Sequence, residues 1–470
     1  MSKPSGPAGR TGGRLRAAGD SLRTQLWPLP VFAVLVAIGL GVWLPMVDAS
    51  VGDDMPEAVS NLLIGGGPDA ARAILEATAG SLITATSLTF SLTVVTLQLA
   101  SSQFSPRLLR TFTGDRVVHA TLALFLGTFA YALTVLRTVR SGYDNEEPFV
   151  PHLAVTLAFL LAIASIIGLV LFLAHLAREI RAETIMRKVH GETAATISRV
   201  FPDQRGSPGP VLPIAPDSAV FVDAARSGFL TGVDEERLLI AAVKHQAIVR
   251  VDSPVGSSLV KGTPAAVGWV RSGAPRMADE ALEEFLKDVS STFITGFERT
   301  AVQDVAFGFR QLIDVAAKAL SPGINDPTTA VHVLGHTSAL LCDLTQRELG
   351  TRVLRDDDGQ VRVILHRPDF ATFLNVTLDQ PVLFGSSDPA VIDRVLSLLQ
   401  EVAWTADEED KAAIREQLHR VTSAVQQESH PPAMMSHLRR RAGEVELALD
   451  GVWSPRASVT NSRLEPPAAS

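Results

Sequence analysis

Four long apolar runs before residue 177 constrain this chain more than any other feature of its sequence. A helix needs about 20 residues to cross the hydrocarbon core of a bilayer, and each run is close to that length or longer. Because no water is present there, the backbone must satisfy its own hydrogen bonds, which a helix does. We therefore predict transmembrane helices over Leu29–Met46, Ser81–Gln103, Val117–Leu136 and His152–Leu176.

The first run also has features of a secretory signal peptide. Basic residues precede it, and Val47–Ala49 resembles a cleavage site. The preceding segment is long for a signal peptide, however, and the run exceeds the apolar core of about 7 to 15 residues typical of one. We therefore expect an uncleaved membrane anchor.

Lys and Arg collect before the first run, between the second and third, and after the fourth. Loops rich in these residues stay on the cytoplasmic side. The segment Asp48–Gly80 holds one basic residue, Arg72, among several acidic ones. Arg137 and Arg140 argue against this orientation, although neighbouring carboxylates would offset them. We predict a multi-pass protein of the cell (inner) membrane with both termini cytoplasmic.

The second run carries too many hydroxyl groups for a helix that faces lipid on all sides. At about 100° per residue, its polar residues form two roughly opposite stripes. Either the hydroxyls allow close helix packing in a central position, or one stripe faces water in a pore within the protein or at an oligomer axis. The first stripe contains Thr84, Ser87, Ser91, Gln98 and Ser102, and the second stripe contains Thr86, Thr89, Thr93, Thr96 and Gln103.

Charged and aromatic interface residues flank these runs. Pro106 ends the second helix, and Arg107 and Arg110 then meet the lipid headgroups, where anionic lipid attracts them. His175, near the end of the fourth run, is interpreted as an interfacial residue.

After residue 178 the chain is charged and rich in proline, as in a soluble domain. Its single cysteine, Cys342, allows no intrachain disulfide, which suits a reducing cytoplasm. Short β-like runs separated by glycines predict a small β barrel or sandwich, followed by a helical region in which Asp358-Gly359 predicts the turn of a β hairpin. The predicted class is an α-helical integral membrane protein with four transmembrane helices and a cytoplasmic α+β domain. The predicted boundaries are an N-terminal segment (1–27), the transmembrane domain (28–177), a juxtamembrane helix and linker (178–210), a β-rich module (211–272), a mainly helical region with a β hairpin (273–452) and a disordered tail (453–470).

An amphipathic helix is predicted between residues 299 and 320, with one apolar side facing the core. Its other side is polar and offers a surface for a cytoplasmic protein partner. The residues of this predicted interaction face are Arg299, Gln303, Asp304, Arg310, Asp314 and Lys318.

The stretch "SPGINDPTTA" predicts a stiff corner between two helices. Pro322 and Gly323 stop the first helix, since proline cannot continue it and glycine accepts left-handed geometry. After Asn325, Asp326 caps the next helix and Pro327 is preset for its first position.

The sequence offers little support for catalysis. His332 and His336 have the spacing of helical metal ligands, yet no third ligand is evident nearby, so we predict no metal site. We find no nucleotide-binding or hydrolase motif and no basic run with interleaved aromatics. No cofactor or nucleic-acid partner is therefore expected, and an enzymatic role is the least favoured.

Four segments carry a family resemblance: "ASSQFSPRLLRTF", "LGTFAYALTVLRTV", "FVPHLAVT" and "RTAVQDVAFGFRQLIDVAAKALSPGINDPTTA". Together they resemble a family of predicted bacterial membrane proteins, domain of unknown function 2254, over roughly residues 25 to 450. The resemblance implies membrane location and the same layout of spans and soluble domain, and it brings no catalytic residues.

These observations lead to two functional hypotheses. The first is a homo-oligomeric channel or transporter-like protein, with the second span near its axis and the cytoplasmic domain as a gate or sensor. The alternative is a membrane-anchored scaffold or signalling protein that binds a cytoplasmic partner through the predicted interaction face.

Overall fold

The structure is a computed structural model that describes residues 27–51, 66–103, 115–141, 148–179, 181–201, 212–270 and 277–453, with the backbone alone at 51 and 99–103. The chain divides into two compact units, the membrane unit (Met1–Thr184) and the C-terminal unit (Ile185–Ser470). Arg107 and Arg110 lie outside the described residues, as does nearly all of the predicted tail.

Four helices in the membrane unit are long and apolar enough to cross a membrane, which confirms the four predicted spans. They are α1 (Pro28–Val51), α2 (Pro68–Gln103), α3 (Arg116–Leu136) and α4 (His152–Glu179).

Helix α2 begins at Pro68, well before the predicted start at Ser81. The prediction began too late because the first turns of the helix are polar and do not belong to an apolar run. Its 36 residues extend about 54 Å, beyond the roughly 30 Å of the hydrocarbon core. In these added turns, the Arg72 guanidinium donates to the backbone carbonyl oxygen of Val139 at 3.1 Å. The polar first turns of α2 are therefore helical and contact the rest of the membrane unit.

Helix α3 is the centre of the membrane unit. In its most apolar stretch 56% of the residues are buried, against 17% in each of the other three helices. Small residues allow the close approach: a Cβ added at Gly41 of α1 would lie 2.9 Å from Thr134 Cβ. The prediction that packing would place the second span centrally is wrong, because the third span occupies that position within the chain.

The end of α1 is fastened to the start of α4. The buried Asp48 carboxylate accepts hydrogen bonds from the backbone N–H groups of Leu153 and Ala154, both at 3.1 Å. The Tyr131 hydroxyl donates to the Ala154 carbonyl oxygen at 3.0 Å. Asp48, which lies within the stretch that resembles a cleavage site, thus joins α1 to α4.

The C-terminal unit contains two open sheets, with strand orders β1-β5-β3-β8-β7 and β4-β2-β6. All pairings are antiparallel except that of β3 with β8. Of the two predicted alternatives, a barrel or a sandwich, the barrel is wrong, since β1 and β7 remain as open edges among the described strands, and the sandwich stays a prediction. The strands are β1 (Val220–Asp223), β2 (Gly228–Val233), β3 (Ala247–Val251), β4 (Ser258–Leu259), β5 (Pro264–Val270), β6 (Phe293–Gly296), β7 (Arg352–Arg355) and β8 (Val361–Leu365).

The hairpin of β7 and β8 forms at the predicted Asp-Gly turn. Gly359 adopts a φ of +73°, and the Asp356 carboxylate accepts from the Gln360 backbone N–H at 2.8 Å. Because β8 pairs with β3, this late segment completes a sheet begun about 100 residues earlier in the chain.

Nine helices of the described residues 181–453 surround these sheets. Most have an aspartate at the N-cap, whose carboxylate accepts from backbone N–H groups of the first turn, as in α6, α8 and α9. The helices are α5 (Ala182–Val200), α6 (Glu235–Lys244), α7 (Asp279–Ser290), α8 (Val305–Ala319), α9 (Pro327–Leu344), α10 (Phe370–Gly385), α11 (Pro389–Thr405), α12 (Glu408–Gln427) and α13 (Pro432–Leu449).

The predicted corner joins α8 to α9, and its left-handed residue is Asn325, with a φ of +52°. Gly323 is not in the left-handed region, so its predicted role is wrong; Pro322 and Gly323 are both exposed. Asp326 accepts from the Thr329 backbone N–H at 3.1 Å and from its hydroxyl at 2.6 Å. Pro327 occupies the first helical turn. The corner is thus built from local caps.

Candidate functional site

The two polar stripes of α2 have different surroundings in the membrane unit. In the second stripe, Thr89 is fully buried and Thr96 is 6% exposed, with the other two threonines half-buried. In the first stripe every described side chain is exposed, and the side chain of Ser102 lies outside the described ones. The exposed members are Thr84, Ser87, Ser91 and Gln98, and the inward members are Thr86, Thr89, Thr93 and Thr96.

The second stripe satisfies most of its hydroxyl groups within α2. Thr86, Thr93 and Thr96 each donate to the carbonyl oxygen four residues earlier, at 2.7, 2.8 and 2.8 Å. The buried Oγ1 of Thr89 has no hydrogen-bond partner among the described residues. These small side chains fill the contact with the rest of the bundle, so the packing interpretation applies to this stripe.

The first stripe contacts no core and runs along the outside of the unit. It is flanked by exposed apolar side chains, including Leu88 (50%) on one side and Phe90 (58%) on the other. Gln98 carries an amide with two N–H donors and an acceptor oxygen, more than a helix backbone can satisfy. A polar strip between apolar margins needs water or another protein surface against it.

A titratable cluster lies where α3 begins. The Asp115 carboxylate accepts from the Val117 backbone N–H at 2.8 Å, which caps α3, and lies 2.5 Å from His175 Nε2. His119 is buried, and its Nε2 has no partner among the described residues. His175 is therefore paired with a carboxylate, beyond the interfacial role that the sequence indicated.

The predicted interaction face is divided by the start of α8 at Val305. Asp304 is the N-cap and is 3% exposed, and the Arg299 guanidinium holds both of its carboxylate oxygens, at 2.8 and 3.0 Å. Burial raises the pKa of the Asp304 carboxyl, while Arg299 opposes that rise. The Gln303 amide bonds both the N–H and the carbonyl of Val233 on β2.

The other half of that face has a different environment. Arg310 and Lys318 are exposed and Asp314 is half-buried on α8. The prediction of one continuous surface is thus wrong for its first three residues, which hold the helix start and the neighbouring strand in place. In the second half, the side chains of Arg310 and Lys318 are the exposed ones.

Gln303 and Asp304, from the first half of the face, instead line a cavity of the C-terminal unit that is about 490 Å³ in volume. Val251 and Leu365, at the carboxyl ends of the parallel strands β3 and β8, line it, as do the starts of α6 and α8. Ligands of open α/β sheets bind beyond the carboxyl ends of strands. The cavity is a candidate binding site that the sequence did not indicate.

Three arginines border this cavity. Arg367 donates to Glu235 Oε1 at 2.6 Å, and Arg352 lies 3.2 Å from Glu235 Oε2. Arg199 donates to the Val302 carbonyl oxygen at 2.9 Å. Burial lowers the pKa of the Arg367 guanidinium. Because these residues are scattered over about 170 positions, no local sequence pattern could have grouped them.

The histidine pair on α9 faces α5. The ring centroids of His336 and His190 lie 5.3 Å apart. Burial lowers the pKa of His336, and His190, His332 and Arg187 lower it further. Within the described part of the chain, no group of three His, Cys, Asp or Glu residues is arranged to hold a metal ion.

The chain is similar in sequence to a described family and to known proteins. The family model described as "Predicted membrane protein (DUF2254)" matches residues 23–401. Uncharacterized proteins of Mycobacterium bovis and Mycobacterium tuberculosis are each 36% identical to this chain over 439 residues, which covers 92% of the chain and 82% of the relative. No solved structure matches the chain significantly. The chain therefore belongs to the DUF2254 family of predicted membrane proteins.

Proposed function

We propose that this membrane protein is a subunit of a homo-oligomeric channel or transporter-like assembly, with α2 near the axis. The exposure of the first stripe carries the proposal: Ser87 and Ser91 are exposed on a transmembrane helix, with no described residue of the chain covering them. The C-terminal unit then acts as a gate or sensor, and both termini face the cytoplasm across the inner membrane.

The energetic argument concerns what covers the stripe. Placing a hydroxyl or amide against hydrocarbon without a hydrogen bond costs roughly 2 to 7 kcal/mol. Thr84 reduces this cost by donating to the Gly80 carbonyl oxygen at 3.3 Å, but the Gln98 amide has more groups to satisfy. A second copy of α2 or a water-filled space removes the cost.

The pathway is proposed between chains because the interior of one chain is filled. Phe125, Tyr131 and Phe172 are completely buried in the membrane unit. The α2 surface offered to such a pathway carries hydroxyls and no charge, which implies weak selectivity by charge.

A second candidate function is a membrane-anchored scaffold that binds a cytoplasmic protein. It is favoured by the exposure of Phe297 (93%) and Val302 (60%) just before α8, together with Arg310 and Lys318 on that helix. In that case charge reversal at Arg310 abolishes capture of the partner, and substitutions in the first stripe leave it intact.

KCl flux from proteoliposomes distinguishes the two functions. Ser91→Leu makes the first stripe apolar at its middle, whereas Phe90→Leu changes the adjacent lipid-facing side chain and serves as the matched control. We expect Ser91→Leu to reduce flux by roughly tenfold or more, as a dewetted constriction does, and Phe90→Leu to leave it near wild type. Absence of flux from wild-type vesicles, or equal flux from both variants, contradicts the channel proposal.

A further inference from the structure

The cavity of the C-terminal unit combines an apolar floor with a cationic rim. Val233, Val251, Val305, Leu365 and Phe373 contribute apolar lining. A volume of about 490 Å³ lies within the roughly 300 to 1,000 Å³ typical of small-molecule sites. Mostly apolar walls with a few placed polar groups are also the usual composition of such sites.

The charges at the rim favour an anion. The Glu235 carboxylate lies between two guanidiniums, those of Arg352 and Arg367, and one would have been enough to neutralise it. Arg199 adds a third guanidinium. The Asp304 carboxylate is neutralised by its ion pair with Arg299, so this pair does not change the net charge of the rim. The three guanidiniums and the carboxylates of Glu235 and Asp234, which all line the cavity, leave one net positive charge.

The guanidiniums also retain hydrogen-bond capacity. Each arginine has five N–H donors in a planar fork that matches a carboxylate or phosphate. Arg352 and Arg199 are exposed at the rim, and each makes one described polar contact, to Glu235 and to the Val302 carbonyl. The helix ends contribute less, because the capping carboxylates already accept their N–H groups.

The walls of the cavity are held in place by contacts among their own residues. The Gln303 amide holds the end of β2 by hydrogen bonding. The paired side chains of Asp304 and Arg299 pack against Gly256, whose φ is +96°. Arg367 donates to the Val200 carbonyl oxygen at 2.5 Å and lies over the Phe201 ring, with 5.9 Å between Cζ and the centroid. A preformed site of this kind spends little free energy on ordering when it binds.

We propose that this cavity binds a small molecule with a phosphate or carboxylate group on an apolar body. The anion contacts Arg352 and Arg199, and the apolar body lies against Val251 and Leu365. This site is independent of the proposed pathway at α2, and it holds whether or not the membrane unit conducts.

Equilibrium dialysis tests the site on the full chain in lipid nanodiscs, with empty nanodiscs as the blank. The probes are 1-naphthyl phosphate and 2-naphthoate, and the neutral control is 2-naphthamide. We expect saturable binding of at least one anionic probe and no saturable binding of the amide. A preference between the two probes identifies the head group as phosphate or carboxylate.

Three variants test the geometry, each checked for wild-type thermal unfolding. Arg352→Gln is expected to weaken anion binding roughly tenfold or more, the usual effect of losing a hydrogen bond to a charged group. Arg415→Gln removes an exposed arginine of α12 that does not line the cavity and should leave binding unchanged. Glu235→Gln frees both arginines and should tighten binding several-fold, an increase that a purely structural network would not give.

The proposal is overturned if neither anionic probe binds above the blank, if the amide binds equally well, or if Arg352→Gln binds like wild type. Should Glu235→Gln unfold the unit, Arg199→Gln at the exposed rim replaces it, and unchanged binding there also overturns the proposal.

Discussion

The two stripes of α2 carry the same kinds of polar group, hydroxyls and an amide, on one helix, yet one packs within the bundle and the other faces away from it. Thr89 and Thr96 are buried against the rest of the unit, while Ser87 and Ser91 are exposed. The same division separates Asp304, which is buried and paired, from the exposed Lys318. Inward polar groups in this protein stabilise the fold, and outward ones are free to contact something else.

The largest expected effect comes from breaking the buried ion pair. Asp304→Ala leaves the Arg299 guanidinium without its partner and removes the cap of α8, which should lower the free energy of unfolding by about 3 to 5 kcal/mol. Thermal unfolding in detergent, followed by the fluorescence of the buried Trp269, measures the loss. Lys318→Ala, the outward control, should change stability by less than about 0.5 kcal/mol; similar losses in both would end the distinction.

A larger side chain in the second stripe, which faces inward, should have a smaller effect on the free energy of unfolding. Thr89→Leu inserts extra methyl groups into a fully buried position, which should cost about 1 to 3 kcal/mol. Ser91→Leu adds even more bulk, but at an exposed position, and should cost less than about 0.5 kcal/mol. Unfolding by sodium dodecyl sulfate in mixed micelles compares them, and a larger loss in Ser91→Leu would reverse the assignment of the stripes.

Loss of the Asp48 cap between α1 and α4 should lower the free energy of unfolding by a similar or slightly smaller amount. Asp48→Ala removes the acceptor for two backbone N–H groups of α4, and loss of such a cap costs about 0.5 to 2 kcal/mol. Glu76→Ala changes an exposed carboxylate of the same unit and is the matched control. The same detergent titration applies, and equal stability of Asp48→Ala and wild type would show that α1 is not fastened there.

Loss of the Asp326 cap at the corner should have the smallest effect on the free energy of unfolding, and this effect should depend on pH. Hydrogen bonds from Thr329 hold the pKa of the Asp326 carboxyl below its ordinary value of 3.8. Because the folded pKa is the lower one, the stabilisation is present above the unfolded pKa and is lost as pH falls through the folded pKa. Asp326→Ala should therefore be about 1 kcal/mol less stable at pH 7, and the difference should shrink below about pH 4. A difference that is constant with pH would show that the carboxylate charge does not contribute.

The sequence predicted the elements whose signal is local. Four apolar runs identified the spans, Asp358-Gly359 identified a hairpin, and Asp326-Pro327 identified a helix start. It could not predict which stripe of α2 turns inward, because periodicity gives the angle between stripes and only packing against α3 decides which one is covered.

The remaining errors have the same origin. Because of the apolar periodicity of residues 302–320, the predicted helix began before Asp304. The helix in fact begins directly after Asp304, and an aspartate is a typical signal for a helix start. The barrel or sandwich was predicted without β8, which comes from a distant segment and pairs with β3. The cavity arginines share no spacing at all, so only the fold brings them together.

Cysteine accessibility tests the outward assignment of the first stripe most directly. In a Cys342→Ser background, single cysteines replace Ser87, Ser91, Thr89, Thr93 and the lipid-facing Phe90, and intact membranes are treated with a small charged thiol reagent. We predict labelling at 87 and 91, with none at 89, 93 or 90, because water reaches only the first stripe. Labelling at 89 and 93, or no labelling at 87 and 91, would contradict the proposal that α2 lines an aqueous path.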